Sequence, residues 1–221
     1  RNVNIGADAS RIERLDTGLL DRSDSRINVS FGTRNQDNLF FNLNSNKENI
    51  PVDFAIFRPS DGSDPVIIPE GSYSWDSISM GLRSGEQRKV SMFLGIGSGD
   101  YYDGESKNVN TNVEWRPSRQ LRISGGYSYR DVDLPGGSFQ VRQTDMSVQY
   151  VFSSTLSWVN LIQYDNFSEV IGFNSRLHWI PEAGREGFIV FNHNVADPDR
   201  NGSFHSTNAD LSVKFSYTFR F

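Results

Sequence analysis

The last eleven residues, Leu211-Ser-Val-Lys-Phe-Ser-Tyr-Thr-Phe-Arg-Phe221, limit the fold more than any other stretch. Leu211, Val213, Phe215, Tyr217, Phe219 and Phe221 fall on one face of a strand, and Ser212, Lys214, Ser216, Thr218 and Arg220 on the other. Strict alternation with period two marks a strand with a different environment on each side. Six apolar groups on one face of a terminal strand are an aggregation hazard in water unless something covers them. Two structures provide the cover. In a transmembrane barrel, lipid meets the apolar face and the polar side chains turn inward. In a soluble β-sandwich, a second sheet does the same work.

The alternation recurs about twelve times, and this favours the barrel. Clear cases are Ile27/Val29/Phe31, Leu39/Phe41/Leu43, Val90/Met92/Leu94/Ile96 and Val109/Thr111/Val113/Trp115, followed by Leu121/Ile123/Gly125/Tyr127/Tyr129, Met146/Val148/Tyr150/Phe152 and Ile171/Phe173/Ser175/Leu177/Trp179. Val3/Ile5/Ala7/Ala9 gives a weaker first strand. Between Tyr73/Trp75 and Ile78/Met80/Leu82 the phase slips, which predicts a bulge. In 155–164 and 187–195 both faces carry apolar residues, and the pattern leaves the outward side open. Short connections at 34–37, 84–87, 117–118, 153–154 and 181–185 alternate with longer polar ones at 14–24, 45–71, 98–107, 131–139, 165–169 and 197–207. Outer-membrane barrels place short turns on the periplasmic side and long loops outside. The expected fold is therefore all-β: one antiparallel, up-and-down transmembrane β-barrel of about twelve strands. It spans 1–221 as a single domain, the C-terminal part of a longer precursor, with residues 45–71 as a long external loop. Residues 1–10 are expected to pair with 211–221, because a bare edge in lipid strands unsatisfied backbone groups.

Composition narrows the alternatives. Mean hydropathy is −0.51 and wholly apolar runs are as short as Phe188-Ile-Val-Phe191, whereas a spanning helix needs ~20 apolar residues. A net charge of −5 argues against nucleic acid as a partner, because phosphate binding rests on a basic footprint. With no Cys there are no disulfides, thiolate zinc sites or cysteine nucleophiles. Trp115 and Trp179 at strand ends, each two residues before a Pro, and Tyr127 and Tyr129 have the character of membrane-interface aromatics.

The terminal pattern resembles the C-terminal assembly signal of bacterial outer-membrane barrels, with Phe215, Tyr217, Phe219 and Phe221 as its residues. A second resemblance rests on Pro69-Glu-Gly-Ser-Tyr73, Gly99-Asp-Tyr-Tyr-Asp-Gly104, Trp115-Arg-Pro-Ser118, Val132-Asp-Leu-Pro-Gly136, Gln163-Tyr-Asp165 and Asn174-Ser-Arg-Leu-His-Trp-Ile-Pro181. This stretch, 69–194, resembles the C-terminal barrel of a bacterial outer-membrane family of unknown function. Members of that family carry an N-terminal module similar to family-nine carbohydrate-binding modules. The resemblance implies location in the outer membrane of a Gram-negative envelope. It implies no carbohydrate role for particular residues here, since the stretch holds no such module.

Alternation puts Glu114, Arg122, Arg130, Asp145, Gln149, Arg176, His178 and Lys214 on the inward face. Two roles fit them: a network of paired charges that stiffens the barrel, or the lining of a selective pore. The expected function is non-enzymatic: a membrane anchor, or a plugged or selective channel component handling a solute or polymer such as a glycan. The expected partners are outer-membrane lipid, the barrel-assembly machinery, and another envelope protein or the missing module. The 45–71 loop, with Ile50, Val52, Phe54, Ile56, Phe57, Val66, Ile67 and Ile68, is too apolar to stay free in water and should fold onto the barrel, into its mouth or onto a partner. Tyr101, Tyr102, Asp100, Asp103 and Glu105 form an acidic aromatic loop suited to sugar stacking or to an interfacial belt. The competing class is an outer-membrane surface hydrolase of lipase or deacylase type, with His205 as base and Ser206 as nucleophile. No cofactor is expected. The one metal candidate is a calcium-like spacing at Asp197, Asp199 and Asn201, in which Asn208 stands where a bidentate Glu belongs.

Overall fold

The computed structural model describes residues 1–16, 18–59 and 62–218, so Phe219 and Phe221 of the expected assembly signal lie outside the described residues. Twelve strands form one antiparallel sheet: β1 (Asn2–Glu13), β2 (Leu20–Gly32), β3 (Asn38–Ile50), β6 (Gly71–Arg83), β7 (Val90–Tyr101), β8 (Gly104–Trp115), β9 (Leu121–Leu134), β10 (Gly137–Ser153), β11 (Leu156–Asp165), β12 (Val170–Glu182), β13 (Arg185–Ala196) and β14 (His205–Tyr217). Their order in the sheet is their order in the chain. Between β3 and β6, β4 (Phe54–Phe57) and β5 (Val66–Ile68) pair as a separate hairpin. Among the described residues no helix is long and apolar enough to cross a membrane. The chain divides into two compact units, Arg1–Thr111 with Ser128–Val141, and Asn112–Tyr127 with Arg142–Phe221.

In the first unit the usual burial rule is reversed over much of each strand. On β3, Leu39, Phe41 and Leu43 are exposed, while Phe40, Asn42, Asn44 and Asn46 between them are half-buried. The register continues this pattern from strand to strand. Phe31, Leu39, Leu82 and Leu94 form one row across β2, β3, β6 and β7, and Val29, Phe41, Met80 and Ile96 form the next. Each row is a run of cross-strand apolar contacts on the exposed face. The second unit repeats the arrangement, with Tyr150, Trp158, Leu177, Ile189 and Val213 in one row. The same register settles the faces the sequence left open: Trp158 and Ile162, and Ile189 and Phe191, belong to the exposed face.

Near the β7–β8 and β9–β10 turns the pattern inverts. Ser72, Ser74, Asp76, Ser98, Asp100, Glu105, Lys107 and Asp133 occupy the exposed face, and Tyr73, Trp75, Tyr101, Val132 and Leu134 the covered one. This corrects the expected bulge in 73–82. The β3–β6 register runs from Asn38↔Arg83 to Ile50↔Gly71 without a shift. The apolar residues change face because the environment changes, and the backbone keeps its pleat. It also corrects three expected loops. The connections at 98–107 and 131–139 are the two-residue turns Tyr102–Asp103 and Pro135–Gly136, and the 45–71 loop begins only after Ile50 and ends before Gly71. Polar residues on the exposed face of continuing strands looked like loops in the sequence.

At the opposite ends, two short connections of the first unit are joined through one carboxylate. Asp37 Oδ1 accepts the Gly85 N–H at 3.0 Å and Oδ2 accepts Arg88 Nη2 at 2.7 Å, while Gln87 Nε2 donates to the Asn35 carbonyl at 2.7 Å. The Gly85 amide, followed by the Arg88 guanidinium, holds the Asp37 carboxyl below its ordinary pKa. A carboxylate with a depressed folded-state pKa stabilises the fold above its unfolded value, about 3.9, and loses that contribution as pH falls through the lower folded value. Thermal unfolding measured from pH 7 down to 3 should therefore show a loss of stability below about pH 4. In Asp37→Asn that component of the pH dependence should be missing.

Candidate functional site

Most of the residues able to do chemistry lie on the covered face. In the first unit they form ladders of short polar side chains. Asn28 Nδ2 donates to Asn42 Oδ1 at 2.7 Å, Asn42 Nδ2 to Ser79 Oγ at 3.1 Å, and Ser128 Oγ to Asn110 Oδ1 at 2.9 Å. Arg26 Nε donates to Asn44 Oδ1 at 3.1 Å. Amides suit such a ladder because each both donates and accepts. Toward the short turns Phe40 lies over Gly81 and stacks on Phe93 at 6.3 Å, with the Arg83 guanidinium 5.2 Å from the Phe93 ring centre.

Toward the β7–β8 turn the face is closed by the β4–β5 hairpin. Ile68 and Val132 are fully buried, and Ile50, Val66 and Leu134 nearly so, with Phe54, Ile56, Phe57, Tyr73, Tyr101, Tyr102 and Phe139 around them. Every strand residue in that cluster belongs to the covered face, so the hairpin lies on the side that holds the asparagine ladders. Phe57 stacks on Phe139 at 4.4 Å. At Gly137 φ is +135°, and a Cβ there would lie 3.2 Å from Val66, which leaves glycine as the residue that lets the hairpin approach.

Tyr102 binds the hairpin to the strands. Its backbone has φ of 54°, a left-handed conformation that costs a bulky residue about 1–3 kcal/mol. The side chain offsets that cost. Its ring meets Trp75 at 4.6 Å, Tyr101 at 4.9 Å, Tyr73 at 5.3 Å and Phe54 at 6.2 Å, and its hydroxyl donates to Glu48 Oε2 at 3.0 Å. Burial, followed by the hydrogen bond to the Glu48 carboxylate, raises the Tyr102 hydroxyl far above the ordinary tyrosine pKa.

The sequence-derived site residues distribute as follows. Arg130 alternates with Ser128 and Val132 on the covered face of the first unit. In the second unit Glu114 pairs with Arg116 and lies 3.7 Å from Arg122. Gln149 and Arg176 share one cross-strand row, and His178 and Lys214 share the next. The His178 ring stacks on Phe188 at 4.1 Å, with Nε2 3.5 Å from Glu186. Asp145 lies against Gly126, where a Cβ would strike its carboxylate. Asn174 donates to Asn192, which donates to Asp210 at 3.1 Å. Trp115, Trp179 and Tyr127 are exposed and Tyr129 is half-buried, and Phe215 and Tyr217 are exposed.

Two expected constellations take other forms. His205 and Ser206 are consecutive in β14 and point to opposite faces, so they form no dyad. Ser206 Oγ instead lies 3.0 Å from Nε2 of His193, across the β13–β14 pair. Asp197 is buried, and its carboxylate accepts the N–H groups of Asn201 at 3.2 Å and Gly202 at 2.7 Å. The Asp197, Asp199 and Asn201 spacing therefore makes a side-chain-capped turn, and among the described residues no cluster of three acidic or His side chains could hold a metal.

A recess of about 280 Å³ opens on the covered face of the first unit, beside Trp75, Tyr101, Asn44, Asn108 and Arg130. Sequence reasoning missed it. Its signal is the alternation Gly95, Gly97, Gly99, which removes side chains from the covered face of β7.

No protein-family model matches the chain, and no curated protein matches it. Among solved structures the chain is similar over 99% of its length to a KdgM porin in complex with disordered oligogalacturonate, at 8% identity and a TM-score of 0.36, with all of that chain covered. A KdgM porin alone is covered in full at 9% identity and a TM-score of 0.34, and a NanC porin in full at 12% and 0.36. At such TM-scores these likenesses carry no weight in the functional reading, which rests on the chain's own residues.

The hairpin contacts generate a prediction. Ile68→Ala should cost the hairpin about 2–5 kcal/mol of local stability. Chymotrypsin should then cut after Phe57, next to the exposed Arg58, several-fold faster than in the unaltered chain, with the strands left intact.

Proposed function

We propose that the chain is a non-enzymatic β-barrel of the Gram-negative outer membrane, a plugged passage for polar solutes or polymers such as glycans. In this reading the sheet closes by pairing β1 with β14, lipid covers the exposed apolar rows, and the polar ladders line the interior. One observation carries the reading. Over the apolar band the strands expose Leu, Ile, Val and Phe and cover Asn, Ser and Arg, and where that pattern inverts an apolar hairpin packs on the apolar residues of the covered face. Water gives no reason for such a band, whereas hydrocarbon requires it. The polar strand ends on the exposed face then stand outside the bilayer. Lipid and the barrel-assembly machinery are the partners this reading requires, and anchoring of an N-terminal module is compatible with it.

A second reading has one observation in its favour, the His193–Ser206 pair on the exposed face of β13 and β14. A hydrolase would use Ser206 as nucleophile and His193 as base. Lipid hydrolysis by the purified chain, abolished in Ser206→Ala, would favour it over the channel.

The channel reading is tested by conductance in a planar bilayer. Replacing residues 52–69 with a short Gly-Ser linker should raise the current well above that of the full chain, and silence from both forms would refute passage. Closure is tested by cysteine pairs between positions 3–9 and 211–217. A disulfide-linked species should form in folded protein at one register, and its absence at every register would show that another strand lies between them. The lipid contact has its own readout. Phe173→Arg or Val213→Arg should cost about 2–4 kcal/mol of unfolding free energy in lipid, and Ser74→Arg, among the polar strand ends, close to nothing.

A further inference from the structure

We propose that the recess on the covered face of the first unit is a binding subsite for one sugar ring carrying a carboxylate. The geometry points there through four features. Trp75 and Tyr101 form an aromatic wall, their rings crossed edge to face at 6.0 Å, and such surfaces suit the C–H face of a pyranose. Asn108 supplies an amide that can both donate to and accept from ring hydroxyls, beside Asn44, whose own amide is bonded to Arg26 and Ser77. Gly99 lines the recess, and its missing side chain lets β7 lie close to β6, since a Cβ there would come within 2.4 Å of the Ser77 Cα. At about 280 Å³ the recess falls just below the ~300–1,000 Å³ of pockets for drug-sized ligands, which gives room for a single ring.

Arg130 selects the acidic sugar. The neighbouring covered-face arginines are engaged, Arg22 with Asp24 at 2.8 Å, Arg26 with Asn44 at 3.1 Å and Arg83 over Phe93 at 5.2 Å. Arg130 lines the recess with no ion pair or hydrogen bond among the described residues. A planar guanidinium is matched to a carboxylate through two parallel hydrogen bonds. A nucleotide would also stack on the aromatic wall, but its phosphates call for a basic cluster or a nest of amides, and the recess offers one cation.

This subsite rests on the fold of the first unit and not on passage of solute, so its test is direct binding. The full chain in detergent micelles is titrated with an aldobiuronic acid, glucuronate linked to glucose, and with the neutral disaccharide of the same linkage, followed by calorimetry and tryptophan fluorescence. Saturable binding of the acid is expected, about ten-fold tighter than the neutral sugar. Arg130→Gln should abolish that difference while leaving neutral binding in place, and Asn108→Leu should weaken both with the circular dichroism spectrum unchanged. Absence of saturable binding by the unaltered chain would overturn the proposal, as would an undiminished acid preference in Arg130→Gln. Conductance can fail while these results hold, and the reverse, so the two readings stand or fall separately.

Discussion

A β-strand can meet two environments at once because successive side chains leave it on opposite sides, and the whole structure depends on that property. Leu39, Phe41 and Leu43 face one way while Asn42, Asn44 and Asn46 face the other, on a single uninterrupted strand. The backbone hydrogen bonds are satisfied by neighbouring strands whatever lies on either face. Side-chain polarity is therefore free to invert partway along a strand, as it does in β6 between Trp75 and Ile78, with no break in pairing. In the proposed barrel, that inversion marks the level at which lipid gives way to water.

The covered face solves a second problem. Polar groups removed from water cost free energy unless they find partners. The answer here is mutual: asparagines and serines on adjacent strands bond to one another across the register, and arginines lie against Asp24, Asn44 or the Phe93 ring. Short side chains keep these ladders close to the backbone, and the glycines of β7 lower the surface further, which is what makes space for a recess beside Trp75.

The hairpin gives the first unit its only compact apolar core among the described residues. Its position depends on Tyr102, whose strained backbone is held by four aromatic neighbours and by Glu48. A tyrosine tolerates this turn because the ring and the hydroxyl are both used. That arrangement joins the β7–β8 turn to β3 and to the hairpin, so the segment placed to obstruct the covered face is fastened at one well-defined point.

The sequence by itself determined most of the strands, their approximate number, and for most of them which side carries the apolar residues, because period-two alternation is a local property that a short window displays. The rows through Phe41, Leu177 and Val213 were legible for that reason. The faces of Trp158 and Phe191 were not, since each sits in a segment with apolar residues on both sides and only the neighbouring strand's register assigns them. The slip after Trp75 suggested a bulge, because a change of phase and a change of environment look alike in one dimension. The tertiary structure alone brought Val132 and Leu134 under Ile68, opposed Ser206 to His193 in place of His205, and gathered Trp75, Asn108 and Arg130 around one recess. Each of these joins residues far apart in the chain or on different strands, and such contacts depend on register and on which segment folds over which face, quantities that no local pattern encodes.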